Sequence, residues 1–442
     1  MSAASQARRL RSADELEIVA FERGSYTSYS ACGIPYLVAG DVEDAQRLVA
    51  RPPEVFREQY AIDVRLGHEV VAIDTEGQTV TVRDSAANSE ANHHYDDLVI
   101  ATGATPVRPA LPGVNARGVF GVQTLDDGTA LLRYLEERAP RRAVVVGGGY
   151  IGLEMAEAMV RRGITTSLVE GSAQVMATLD ADMAVLIADA LRSVGVDLRL
   201  GQSVGGFAVD ADGAVEGVQL GDEVIPAEVV VLGIGVRPNS GLADDAGITI
   251  GTTHGIATDA RMATSARNVW AAGDCVETHH RVSGKPVTIA LGTHANKQGR
   301  VAGANLAGGS AEFGGVLGTA VSKVCAYEVA RTGLNEREAA AAGIDAVAAT
   351  IDSTTRAGYF PGAAPITVKM VMERITGRLL GAQIVGREGA AKRIDIVAVA
   401  LWNGMTAAEL SGVDLGYAPP FSPVYDPVLV AARRVADAGT GR

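Results

Sequence analysis

The feature that most constrains this chain is the run Arg142-Ala143-Val144-Val145-Val146 followed at once by Gly147-Gly148-Gly149-Tyr150-Ile151-Gly152. A run of valines bounded by glycine reads as a buried parallel strand, and the segment 151–162 after it reads as a helix. The strand 165–169 follows and is closed by Glu170, 23 residues after Gly147. Strand, GxGxxG turn, helix, strand and acid form the unit that binds dinucleotides. Gly147 permits the tight turn, Gly149 lets the backbone approach a pyrophosphate, and Gly152 lets helix and strand pack closely. The open N–H groups of the helix face the phosphates. Glu170 accepts hydrogen bonds from the adenosine ribose hydroxyls and repels a 2′-phosphate, so NADH is favoured over NADPH. Glu154 and Glu157 lie early in the helix. They read either as charge compensation at its N-terminus or, for Glu154, as a group beside the nicotinamide.

Composition agrees with this α/β reading. Glycine is high, at 52 of 442 residues, and apolar residues make up 47%, so several tight turns and sizeable cores are expected. A formal net charge of -13 argues against a general binder of nucleic acid or anionic membrane. Three cysteines do not make a disulfide framework, and their spacing carries no metal signature. No apolar run is long enough to span a bilayer and Met1 to Leu10 has no signal-peptide core, so a cytoplasmic protein with reduced thiols is expected.

Around the central unit the chain reads as more α/β structure. Residues 2–11 read as a helix and 17–21 as a strand closed by Glu22, the second half of a βαβ unit whose first strand and turn are not in the sequence. Strands are expected at 70–74, 79–82, 95–101, 215–220 and 223–232, with a further strand and turn at Val269-Trp270-Ala271-Ala272-Gly273-Asp274. Residues 294–307 and 391–402 read as helices. The strands 366–373 and 379–386 flank a hairpin turn at Thr376-Gly377-Arg378. The stretch 417–427 reads as a Pro-rich extended segment, and the last ten residues are expected to fray.

Cys32 stands apart in Ser28-Tyr29-Ser30-Ala31-Cys32-Gly33-Ile34-Pro35-Tyr36. Glycine, proline and hydroxyls crowd it, and it follows the first ribose-type strand. No second cysteine stands at CxxC or CxxxxC spacing. A redox cycle here uses Cys32 with an external sulfur or as a singly oxidised cysteine. Cys275 and Cys325 read as structural.

These residues resemble the pyridine nucleotide–disulfide oxidoreductases that carry one redox cysteine, a group of coenzyme A-disulfide reductases, NADH oxidases and peroxidases, and persulfide reductases. The resemblance covers essentially the whole chain. It rests on the Tyr29–Tyr36 motif, the Thr102-Gly103 turn, the glycine loop and Ala272-Gly273-Asp274. It rests also on Ala295-Asn296-Lys297-Gln298-Gly299-Arg300, Lys392-Arg393-Ile394-Asp395 and Tyr417-Ala418-Pro419-Pro420-Phe421-Ser422.

The resemblance implies two Rossmann-like domains and a C-terminal α+β dimerisation domain. The FAD domain is split between 1–112 and 236–322, the NAD domain is 113–235, and dimerisation falls to 323–442. It implies FAD and NADH (NADPH less favoured) as cofactors, a homodimer, and hydride passing through FAD to Cys32, where coenzyme A disulfide or a related small disulfide is opened. A thiolate held beside oxidised flavin is expected to be stabilised by local dipoles. The alternative keeps the fold and reduces oxygen or peroxide through a cysteine sulfenic acid. Carried over residue by residue, Glu22 with its neighbour Arg23, Thr102, Gly103, Gly273, Asp274 and Asn296 hold FAD. Gln6, Arg9, Ser28, Tyr29, Lys392 and Arg393 meet coenzyme A. Tyr359 and Tyr417 reach the partner subunit's cysteine site and assist the leaving thiolate.

The sequence departs from the family pattern in three places. The family's opening strand and glycine turn, about a dozen residues, do not appear, and a longer native chain is expected. Ala31 stands where many of the disulfide reductases have Asn. No rhodanese-like domain follows the Pro-rich motif, which counts against the persulfide branch.

Overall fold

The computed structural model describes residues 1–440. Its centre is a five-stranded parallel sheet in the order Asp197–Leu200, Thr165–Glu170, Arg142–Val146, Val229–Leu232, Val119–Gly121. Val144, Val145, Val229, Val230 and Val231 are fully buried, as expected for strands covered on both faces. The glycine loop leads into the helix Tyr150–Arg161, whose Leu153, Met155, Ala156 and Met159 pack into the core. The stretch read as one strand at 223–232 is two. Glu223–Pro226 closes a three-stranded antiparallel meander, and the chain then crosses to the parallel strand Val229–Leu232.

On one side of this unit, Ile18–Glu22 pairs in parallel with Ile62–Leu66, and Leu98–Ile100 with Val269–Ala271. Among the described residues these remain separate two-stranded sheets. The helix Ser2–Leu10 lies on the helix Gly292–Leu306, and the two approach so closely that a Cβ at Gly303 would lie 2.2 Å from the Ala3 carbonyl. An antiparallel meander, His68–Asp74, Thr79–Asp84 and Ser89–His94, completes this side.

The C-terminal part is a five-stranded antiparallel sheet in the order Ala320–Val324, Tyr327–Gly333, Leu379–Gly386, Pro365–Glu373, Ala346–Thr354. The helices Ile394–Trp402 and Pro427–Gly439 pack on it. The expected frayed end is corrected here. Asp426 caps the last helix by accepting Val428 N–H at 2.9 Å, and Val428, Ala431, Ala432 and Val435 are fully buried at helical spacing. Residues 441–442 of that expectation lie outside the described residues.

A buried ion cluster ties the C-terminal sheet to the central unit. Lys369, 5% exposed, places Nζ 2.8 Å from Asp182, 3.3 Å from Asp180 and 2.5 Å from Glu336. Beside it Arg331 reaches Glu338 at 2.6 Å and the Thr178 carbonyl at 2.7 Å. Burial opposes charge on Lys369, yet the hydrogen bonds it donates to Asp182 and Glu336 and the charge of Asp180 push its pKa up. Burial alone would raise Asp182, but Lys369 holds it below the usual carboxylate range. Replacing Lys369 by methionine leaves the buried Asp180 carboxylate without its cation, whereas Asp182 and Glu336 are half exposed, and should lower unfolding stability by about 1–3 kcal/mol, read from urea midpoints. Because Lys369 makes Asp182 titrate lower in the folded state, that contribution is complete above the unfolded carboxylate pKa. It is lost as pH falls through the lowered value, so the K369M deficit should shrink in acid. A K369M midpoint equal to wild type at pH 7 would refute this. Among the described residues no helix is long and apolar enough to cross a membrane.

Candidate active site

Cys32 is placed by local sequence logic. Ser30 N–H bonds the Leu48 carbonyl at 2.8 Å and Ala50 N–H bonds the Ser28 carbonyl at 2.9 Å, fixing the approach. Ala31–Gly33 makes one 3₁₀ turn and feeds the helix Ile34–Ala39, with Pro35 in the first turn, where no N–H is missed. Ile34, Leu37 and Val38 bury the inner face, while Cys32 stays exposed as a free thiol. Cys275 is fully buried, and Cys325 is half-buried with its thiol pushed up to about 11.

The chain's own field acts on Cys32 against expectation. Desolvation and then the Glu154 carboxylate push the thiol above the ordinary cysteine value, and Asp274 adds to this. The Cys32 backbone N–H acts in the opposite, lowering direction, but the net direction set by the chain alone is upward. In flavin-free protein the alkylation of Cys32 by iodoacetamide, followed by peptide mass, should keep rising with pH beyond about 9. A plateau reached by neutral pH would contradict it.

Glu154 faces both the cysteine helix and the C-terminal hairpin. Ser322 Oγ donates to it at 2.8 Å, while burial and then Glu157 raise its pKa. Glu157 accepts the Cys325 N–H at 2.7 Å. A small cleft between them is lined by Pro35, Tyr36, Arg161 and Lys323. Ser322 carries no sequence signal, because it arrives from 168 residues away.

Glu170 is fixed at the end of its strand. It accepts Gly148 N–H at 2.6 Å, and Ser172 N–H and Oγ–H at 2.7 and 2.8 Å. Ser172 was not singled out from sequence, although its position two residues after the acid is a local turn pattern. Gly149 caps the helix without a side chain, leaving the turn open.

Most of the residues read as FAD ligands follow strand ends, and Asn296 lies in the helix Gly292–Leu306. Glu22 closes its strand and accepts Gly24 N–H at 2.7 Å, while exposed Arg23 lies 4.0 Å from Glu69. Thr102 Oγ donates to the Asn239 carbonyl at 2.6 Å and Asn239 Nδ2 returns to the Thr102 carbonyl at 2.8 Å, pinning the Thr102-Gly103 turn. Asn239 was likewise not foreseen. Gly273 donates to Gln298 Oε1 at 2.9 Å. Asp274 next to it is half-buried, accepts no hydrogen bond from the described residues, and is raised by desolvation. Asn296 accepts Ser2 Oγ–H at 2.5 Å. A partly desolvated carboxylate without donors, in front of two open strand ends, suits a hydroxyl-rich ligand such as the flavin dinucleotide.

The coenzyme A candidates divide. Gln6 is half-buried and Arg9 exposed, and neither side chain makes a hydrogen bond to the described residues, so both are free at the surface. Tyr29 is half-buried against Tyr26, and Ser28 holds φ of +50°. Lys392 is exposed and paired with Asp395. Arg393 is corrected: it is 8% exposed, and its guanidinium is consumed by Asp426 and three carbonyls, so it is not available to a phosphate. Tyr359 and Tyr417 are 78% and 46% exposed, and the neighbouring Tyr359 phenol pushes Tyr417 up.

A family model described as pyridine nucleotide-disulphide oxidoreductase matches residues 1–299, and one for the dimerisation domain of the same family matches 319–427. An NAD(P)H coenzyme A polysulfide/persulfide reductase of Pyrococcus horikoshii is 40% identical over 98% of this chain and 95% of its own length. The structure of an NAD-dependent persulfide reductase from A. fulgidus superposes with a TM-score of 0.95 at 38% identity, over all of this chain and 82% of that one. The structure of reduced Bacillus anthracis CoADR-RHD gives a TM-score of 0.95 at 34% identity, over all of this chain and 78% of that one.

Proposed function

Because this chain belongs to the pyridine nucleotide-disulphide oxidoreductase family, we propose that it delivers electrons from NADH to the sulfur of Cys32 and there reduces sulfur–sulfur bonds of coenzyme A. The observation that carries this reading is one exposed thiol, Cys32, that is not disulfide-bonded to either of the other two cysteines, Cys275 being fully buried and Cys325 half-buried. Its oxidised partner is then a sulfur from outside the chain.

Glu170, Gly148 and Ser172 bind the adenosine ribose of NADH, and the open turn at Gly149 receives the pyrophosphate. Glu22, the Thr102-Gly103 turn and Asp274 hold FAD, which supplies the relay between hydride and sulfur chemistry. Cys32 rests as a mixed disulfide with coenzyme A. Two electrons break that bond and release one coenzyme A thiol. The Cys32 thiolate then attacks coenzyme A disulfide, restoring the mixed disulfide and expelling a second thiolate. The sum is NADH, a proton and one disulfide giving NAD and two thiols.

Gln6, Arg9, Ser28, Tyr29 and Lys392 are the side chains placed to meet coenzyme A. Tyr359 and Tyr417 of a second copy of the chain reach the departing thiolate. Their exposed position beside Phe421 and Tyr425, 75% and 62% exposed, is the aromatic face that a homodimer would cover.

The persulfide branch is restored to the substrate class. The P. horikoshii polysulfide/persulfide reductase, matched over 95% of its own length, supports including it. The test is anaerobic reduction of the flavin-loaded protein by NADH, followed by separate additions of coenzyme A disulfide, polysulfide with coenzyme A, oxygen and peroxide. Fastest reoxidation by one of the sulfur acceptors, with a coenzyme A adduct on resting Cys32 by mass, is expected. Fastest reoxidation by oxygen or peroxide, with Cys32 trapped as a sulfenic acid, would replace this reading by the oxidase one.

A further inference from the structure

The helix entry that carries Lys392 and Arg393 holds a device the proposed mechanism has not used. Arg393 Nε donates to Asp426 Oδ2 at 3.0 Å, the two side chains being 9% and 10% exposed. Arg393 Nη2 donates to the Thr355 carbonyl and to the Phe421 carbonyl, both at 2.8 Å, and Nη1 donates to the Gly389 carbonyl. Ser422 Oγ adds a bond to the same Asp426 oxygen at 3.1 Å. Thr355 lies four residues before Tyr359, and Phe421 four residues after Tyr417. The two loops also touch directly, Ala357 N–H bonding the Pro419 carbonyl at 3.2 Å.

We propose that the buried Arg393–Asp426 pair is the positioning element that holds the Tyr359 and Tyr417 loops in register, so that the two phenols reach the thiolate-leaving site as one unit. The inference rests on the reading that these tyrosines act at the sulfur site. Neither loop has regular structure of its own between Thr355 and Ala364 or between Leu415 and Ser422. Each is therefore fixed by what its carbonyls meet. A guanidinium suits the task because its planar fork serves several acceptors in set directions at once, whereas an ammonium is a point charge on a flexible stem. At 9% and 10% exposure the pair is screened by salt far less than a surface pair.

The experiment is a cycle of Arg393→Lys against the double variant Tyr359→Phe/Tyr417→Phe, in flavin-loaded protein with NADH and coenzyme A disulfide. Lysine keeps the charge beside Asp426 and loses the fork. R393K should lower kcat for the disulfide by about tenfold, while the rate of flavin reduction by NADH stays at the wild-type value. Placed on the tyrosine double variant, R393K should give no further loss, because both changes remove the same contact. If R393K turns over like wild type, or if its loss multiplies with that of the tyrosines, the pair serves stability alone and the inference falls. If the tyrosine double variant itself keeps wild-type turnover, the reading of the tyrosines fails first and this inference goes with it. Should R393K not fold, Ser422→Ala is put through the same cycle. It removes one donor from Asp426 and leaves the ion pair, and a smaller loss of about two- to fivefold, again absent on the tyrosine background, is expected.

Discussion

Replacing Cys32 by serine should lower NADH-dependent reduction of coenzyme A disulfide by at least about a thousandfold while NADH still bleaches the flavin. Serine keeps the size of the side chain and the turn that holds it, so the fold has no reason to change. What goes is the sulfur that forms the mixed disulfide. No other thiol can take its place: Cys275 is fully buried, and Cys325 is half-buried with a pKa of about 11. The wild-type thiol is itself disfavoured as thiolate by desolvation and Glu154. Its reactivity therefore depends on what is bound beside it, and oxygen at the same position, with a far higher pKa, cannot enter the exchange. Turnover of C32S within tenfold of wild type would end the cysteine mechanism. Resting wild-type protein should also carry a coenzyme A mass on the peptide containing Cys32, and C32S should carry none.

What the sequence showed and what it hid divide along a physical line. The valine strand, the glycine turn and Glu170 were legible because their chemistry is local: continuous burial, a tight turn and an acid at a strand end. The helix Leu125–Arg138 was passed over although its signal is also local, a capping box between Thr124 and Asp127 and buried Leu125, Leu131 and Leu135. The strand Ser89–His94 had no such signal. It is a solvated edge with one half-buried residue, so no alternation marks it. The partners Ser322 of Glu154 and Asn239 of Thr102 arrive from 168 and 137 residues away, and nothing in either neighbourhood announces them. Arg393 shows the opposite error. A basic pair at a helix start reads as a phosphate contact from composition, and only the fold reveals that one member faces solvent while the other is enclosed by Asp426 and loop carbonyls. Residue type suggests the chemistry, and topology decides whether it is free to act.

The glycine turn gives the second large effect. Replacing Gly147 by alanine should slow flavin reduction by NADH at least about a hundredfold, with reduction by dithionite unchanged. Gly147 sits at φ of +104°, and a Cβ there would lie 2.4 Å from the Gly233 carbonyl oxygen and 2.6 Å from its carbon. Neither partner can retreat. Gly233 N–H is bonded to the Val146 carbonyl at 2.7 Å, and the strand before it, Val229–Leu232, is paired in parallel along Ala143–Val146. Gly147 N–H is in turn bonded to the Val169 carbonyl at 2.8 Å, next to Glu170. The added methyl must therefore be relieved by moving the turn itself, which carries the Gly148 N–H bonded to Glu170. Ribose and pyrophosphate contacts are displaced together. Gly201 separates this clash from conformational strain. It has φ of +67° in the same parallel unit, but a Cβ there meets nothing within 4 Å. Gly201→Ala should cost only the left-handed backbone penalty, about 1–2 kcal/mol of stability, and leave the NADH rate near wild type. If G147A and G201A behave alike in stopped-flow reduction, the turn is a structural glycine and dinucleotide binding lies elsewhere. A hundredfold gap between them places the NADH pyrophosphate on Gly147–Gly149.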